Sequence, residues 1–183
     1  MKIIKYLLFV LFFVVILATI SGRWLPQYIS NNISDYPDRW VLYAISLAEI
    51  YNDSEAMFLL GKRLIESENS AHRHHGIRYL SSNIMKQTLH SKEANYLVGH
   101  YYIETEMDSK KARRFLSRKP NKNHVPSLIL LYKDSIDDYV LAIDNIEKIR
   151  FIAESGDPYG AYLYGKALLT IGQDELAVVW LEK

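Results

Sequence analysis

Hydrophobic and polar positions along this chain follow two regimes. From Tyr6 to Ile20 the residues are uncharged and almost wholly apolar, behind a start that carries Lys2 and Lys5. Beyond about Tyr36 the apolar residues recur at spacings of three and four, the period of helices that bury one face. One helical phrase then returns four times: AMFLLGKRL from Ala56, ANYLVGHYY from Ala94, SLILLYKDS from Ser127 and GAYLYGKAL from Gly160. Each opens on a small residue and carries glycine or tyrosine at its sixth position, namely Gly61, Gly99, Tyr132 and Gly165. The successive spacings of 38, 33 and 33 residues are those of stacked helix-pair units.

A second phrase marks the other helix of each unit. Gly76 precedes Tyr79-Leu80, Ala112 precedes Phe115-Leu116, and Ala177 precedes Trp180-Leu181. A small residue with an aromatic at +3 and leucine at +4 lies on one helical face. The small residue admits a neighbouring backbone, and the aromatic–leucine pair is expected to fill the gap between units. The third unit departs from this, with Asn145, Lys148 and Ile149 at the matching places, and recovers at Ala153-Glu154-Ser155-Gly156-Asp157. Asp108, Asp174 and the pair Asp137-Asp138 precede helices and are read as caps. Ahead of the repeats, a helix is expected to begin near Pro37 with Ser34 or Asp35 as its cap. Its inward face would carry Trp40, Val41, Ala44, Leu47 and Ala48. The domain reading is therefore an anchor over 1–22, a linker over 23–35 and a helical-repeat domain over 36–183. The last comprises a leading half-unit at 36–52 and repeats at about 53–90, 91–123, 124–156 and 157–183.

The alternation of a small-x-aromatic-x-Leu-Gly helix with an Asp-x-x-Ala-x-x-aromatic-Leu helix, closed by Ala-Glu-x-Gly-Asp, resembles the Sel1-like repeat. That family is related to the tetratricopeptide repeat. The resemblance covers about Tyr36 to Lys183, is clearest in the second and fourth units, and is weakest in the third. It implies an all-α solenoid of antiparallel helix pairs used for protein–protein interaction or assembly, and it implies no chemistry. By the same resemblance Phe58, Tyr96 and Tyr162 are placed in the core.

The apolar start reaches the 18–20 residues a bilayer needs, about the span of one helix, if Ile3, Ile4, Ser21 and Gly22 are counted in. Trp24 then suits the headgroup level. An uncleaved signal anchor is expected, with a cleaved secretory signal as the alternative. Lys2 and Lys5 against Arg23 favour a cytoplasmic N-terminus, placing the repeat domain outside the cytosol, in the periplasm of a bacterial source. The chain contains no cysteine, which removes disulfides, thiolate metal sites and cysteine nucleophiles. A net charge of +1 over 183 residues gives no reason to expect nucleic acid.

No phosphate-binding glycine loop, nucleophile elbow or zinc-protease helix occurs. The expectation is a non-enzyme without cofactor. His72, His74 and His75 form one histidine-rich stretch, read as a solvated loop between the helices of the first unit and as a weak metal candidate. Two surfaces are candidates for a partner. Lys62, His100, Lys133 and Lys166 each follow a sixth position, and repetition would align them as a basic ladder suited to an acidic or C-terminal peptide. Lys110, Lys111, Arg113, Arg114, Arg118 and Lys119 form a basic run whose apolar members, Ala112, Phe115 and Leu116, face inward. At the far end Ala177, Trp180 and Leu181 should pack inward, leaving Leu176 and Val178 or Val179 for a neighbour. That suggests self-association, a partner or a longer parent chain. The leading functional expectation is a membrane-tethered interaction scaffold or regulator. The alternatives are an inhibitory, immunity-type protein and, more remotely, a metal-dependent activity.

Overall fold

The computed structural model describes residues 24–32, 36–82 and 88–183, and all regular structure among them is helical. The helices are α1 (24–31), α2 (Asp38–Ile50), α3 (Ser54–Ile65), α4 (Ser70–Leu80), α5 (Ser91–Glu104), α6 (Ser109–Leu116), α7 (Val125–Tyr132), α8 (Tyr139–Glu154), α9 (Pro158–Thr170) and α10 (Asp174–Leu181). Single 3-10 turns occur at Lys119–Asn121 and Lys133–Ser135. The anchor expected over 1–22 lies outside the described residues, and no described helix is long and apolar enough to cross a membrane. The chain divides into two compact units, Met1–Ala94 and Asn95–Lys183.

In the first unit α3 packs against both α2 and α4. Val41, Ala44, Ile45 and Ala48 of α2 are buried with Met57, Phe58, Leu60 and Leu64 of α3 and with Ile77, Tyr79 and Leu80 of α4. Two expectations need correction here. The linker expected over 23–35 is helical from 24 to 31, because Pro26 and Ile29 are buried rather than solvated. Trp40 does not join the inward face of α2; Ile45 takes that role, and Trp40 stands exposed with its ring edge-on to Tyr43 at 6.5 Å. Pro37 is the N-cap of α2 and makes no side-chain bond, while Ser34 and Asp35 lie outside the described residues.

Helix junctions repeat one device. A residue with positive φ stands directly before the N-cap at Asn52 (φ 56), Met107 (φ 49), Gly156 (φ 85) and Gly172 (φ 77). The caps that follow are Asp53, Asp108, Asp157 and Gln173. Each of the three aspartates accepts a hydrogen bond from a first-turn amide: Ala56 at 3.0 Å, Lys111 at 2.9 Å and Gly160 at 2.8 Å. Asp138 caps α8 in the same way, through Leu141 at 2.9 Å. Asp174, expected to be a cap, is instead the first residue of α10, where its charge opposes the helix dipole without capping.

The two recurring phrases meet within each helix pair. A Cβ built on Gly61 would touch the Leu80 side chain at 3.1 Å, one on Gly99 would overlap Leu116 at 2.5 Å, and one on Gly165 would overlap Leu181 at 2.6 Å. The leucine of the second phrase thus sits on the glycine of the first within one pair, rather than filling the gap between units. In the third of the four sequence phrases Tyr132 replaces the glycine, and Lys148 replaces the aromatic of its partner helix; the Lys148 ammonium lies 5.3 Å from the Tyr132 ring centroid. Ile149 keeps the buried leucine position.

In the second unit one apolar cluster joins Ile136, Ala142, Ile149 and Ala153 to Leu163, Tyr164, Ala167, Leu168 and Ala177. A second gathers Ala112, Leu116, Leu128, Leu131 and Ile152. Tyr162, assigned to the core by the resemblance, is exposed and stacks on Tyr159 at 5.8 Å; Phe58 is buried and Tyr96 half-buried. Trp180 packs edge-on to Tyr164 at 5.2 Å, whereas Leu176, Val178, Val179 and Leu181 are exposed.

Candidate functional site

The third repeat departs from its neighbours in length as well as in sequence. α7 spans 8 residues, against 12 in α3, 14 in α5 and 13 in α9. It stops at Tyr132, so the Lys133 of the expected ladder lies in a 3-10 turn and not on a helix face. Beside this short helix lies a groove of about 540 Å³, bounded by α6, the connection that follows it, α7 and α8. Its floor is apolar, made by Leu116, Leu128, Leu131, Tyr132 and Phe151, and its rim carries Lys119, Lys122, Lys148 and Glu147.

The connection bearing the rim lysines is held from beneath by a buried polar relay. Asn121 and Ser127 are almost fully buried, as is Asn95 of α5. The Arg118 guanidinium donates to Asn95 Oδ1 at 2.8 Å, and Asn95 Nδ2 donates to Asn121 Oδ1 at 3.4 Å. Asn121 Nδ2 then donates to Ser127 Oγ at 2.7 Å, and that hydroxyl lies 2.8 Å from His124 Nδ1. Buried amides and hydroxyls are costly unless paired, so the relay specifies one conformation for residues 118–127. Burial, with the nearby Arg114 charge adding to it, holds the Arg118 pKa below its ordinary value, and its guanidinium also lies 4.0 Å from the Phe115 ring centroid. Neither the relay nor the groove was readable from motifs, because their members come from segments with no common spacing.

The expected site residues are distributed as follows. Lys62 pairs with Glu93 at 3.4 Å, Lys133 with Glu104 at 3.9 Å and Lys166 with Asp137 at 3.2 Å. His100 is exposed, with its ring 5.8 Å from that of Tyr96. None of these four lines the groove. Of the basic run, Lys111 pairs with Asp108 at 3.2 Å and Arg118 joins the relay. Lys119 reaches the rim, whereas Lys110, Arg113 and Arg114 are exposed on α6.

The histidine stretch is helical, not a loop. Asn69 accepts a bond from the Ala71 amide at 2.9 Å and so starts α4 ahead of it. The three imidazoles part company: His72 Nδ1 meets Asp38 at 2.8 Å, His74 Nδ1 meets the Ser70 carbonyl at 2.7 Å, and His75 is exposed. Among the described residues no group of three or more histidine, aspartate or glutamate side chains is placed to hold a metal ion. The weak metal candidates His72, His74 and His75 thus face different partners and do not converge on one point.

Asp38 is a hub that sequence inspection missed. Its carboxylate accepts from the Ser67 hydroxyl, faces His72 and pairs with Arg63 at 3.2 Å. The Ser67 bond is the main reason its pKa lies below the ordinary value; burial opposes the shift, and His72 and Arg63 reinforce it. Serine, histidine and aspartate are the residue types of a hydrolytic triad. Here, however, the Ser67 oxygen approaches the same Nδ1 that faces Asp38, at 3.5 Å, so the imidazole does not lie between them as a proton carrier. The cluster ties α2 to the α3–α4 connection. Comparison with family models, curated proteins and solved structures finds no match for the chain.

Proposed function

We propose that this chain is a membrane-tethered protein–protein interaction module built from Sel1-like helix pairs stacked as a solenoid. The observation that carries the reading is the groove beside α7: an apolar floor, a basic rim, and a rim segment fixed by the buried Arg118–Asn95–Asn121–Ser127 relay. Pre-ordering a surface segment lowers the entropy lost on association, which is what a binding surface needs. The repeated seating of leucine on glycine at Gly61, Gly99 and Gly165 supports the repeat reading. The uncharged Tyr6–Ile20 run, behind Lys2 and Lys5, supports the tether and an extracytoplasmic repeat domain.

Crosslinking pull-down of the full-length protein from membranes tests this. A discrete protein partner, crosslinked in the membrane fraction, is the expected result. Recovery of the chain alone, in a soluble fraction, would overturn it.

A further inference from the structure

We propose that the groove between α6, α7 and α8 receives an acidic peptide segment of the partner, one bulky apolar side chain on the floor and flanking carboxylates on Lys119, Lys122 and Lys148. This rests on the interaction-module reading and names the chemistry of the partner at that same site.

Size and surface set the occupant. A space of about 540 Å³ is more than one side chain fills and falls within the usual range of ligand sites, about 300–1,000 Å³. Its floor offers leucine, tyrosine and phenylalanine faces, which gain from covering by an apolar group. Phe151 is 42% exposed, so the groove is not closed over and leaves room for the backbone on either side of an anchor residue. Three lysines against one glutamate make the rim cationic.

Charge pairing locates where an acidic segment would gain most. Lys62, Lys111, Lys133 and Lys166 each already hold a carboxylate. Among the described residues Lys119, Lys122 and Lys148 form no ion pair, and Lys148 lies over the Tyr132 ring. An incoming carboxylate therefore displaces no internal partner at the rim, whereas at the ladder lysines it would compete with Glu93, Glu104 and Asp137. Favourable charge placement of this kind sets encounter rate and partner choice.

The test uses the purified full-length chain in mild detergent. The probe is a fluorescein-labelled, acetylated peptide with a central phenylalanine flanked by glutamates, read by anisotropy. Saturable binding is expected, weakening as salt rises. The double substitution Lys119→Glu/Lys122→Glu should weaken it about tenfold while the melting temperature holds, since exposed charges contribute little to folding. Phe151→Ala, also at an exposed position, should weaken it as well, and Lys133→Glu/Lys166→Glu should leave it unchanged. Equal binding of a lysine-flanked peptide, or undiminished binding by the rim and Phe151 variants, would overturn the proposal. Capture of phosphatidylglycerol vesicles by these lysines without peptide binding would overturn it too. A crosslinked partner retained equally by rim variants would sink the groove and leave the module standing; probe binding with no crosslinked partner would do the reverse.

Discussion

A methyl group placed on Gly76 would stand 2.8 Å from the Gly61 carbonyl oxygen and 2.8 Å from the Ile65 amide nitrogen. α3 and α4 therefore meet backbone to backbone at this point, and no side-chain rotation can relieve the overlap. Alanine at Gly76 gains about 1 kcal/mol of helix propensity. Prying the helices apart costs about 1–3 kcal/mol, so the variant should be net destabilised. At Gly61 the added methyl meets the buried Leu80 side chain at 3.1 Å, tight but short of overlap, and the nearest backbone atom, the Gly76 carbonyl oxygen, at an ordinary 3.7 Å. Urea unfolding should therefore show Gly76→Ala clearly weaker than Gly61→Ala. The reverse order would mean the helices do not cross there.

Met107 is the odd member of the four junctions. It holds φ at 49 with its side chain 85% exposed, so no packing compensates the left-handed backbone. Met107→Gly should raise stability by about 1 kcal/mol by relieving that strain. Gly156→Ala, at φ 85 with open space around it, should lower stability through backbone strain alone. Thermal melts of the two variants check the pair, and a destabilised Met107→Gly would contradict the junction geometry.

Asp38 supplies a pH signature. Its pKa is lowered, chiefly by the Ser67 hydroxyl, so its stabilising contribution is complete above the ordinary aspartate value of 3.8 and is lost as pH falls through the folded-state value. In Asp38→Asn the contribution is absent throughout. Denaturation midpoints of wild type and Asp38→Asn should differ at pH 6 to 7, about neutrality, and converge below the aspartate range. Parallel curves down to acid pH would show that the carboxylate is not the stabilising group.

How much of this was written in the sequence depends on the reach of the interactions. Gly61, Gly99 and Gly165 and the leucines Leu80, Leu116 and Leu181 were legible as recurring positions because both return at fixed spacing, but their partners were not: the leucines were expected between units and instead seat on the glycines within one helix pair. Asp108 and Asp138 were legible because capping is decided within three residues. His72, His74 and His75 were misread as a loop because the signal that makes them helical is the single cap Asn69. The Asp38–Ser67–His72 hub and the relay from Asn95 to Asn121 join polar residues from distant segments, and no period marks such pairs. The groove arises from where α7 ends at Tyr132, a boundary that hydrophobic pattern alone does not locate.

The relay yields the prediction closest to function. Ser127 is fully buried and its oxygen accepts from Asn121 Nδ2 while facing His124 Nδ1. Ser127→Ala leaves the Asn121 amide buried beside a methyl group, where an unmade hydrogen bond costs about 1–3 kcal/mol. The apolar clusters around Leu128, Leu131 and Ile152 are untouched, so the unit should still fold. The loss should instead appear locally, as faster hydrogen exchange over residues 118–124 with little change in α9. Ser127→Thr keeps the hydroxyl and should preserve the exchange pattern if its extra methyl is accommodated. If Ser127→Ala exchanges like wild type across this segment, the rim lysines are positioned by something other than the buried amides, and the groove loses its argument for pre-ordering.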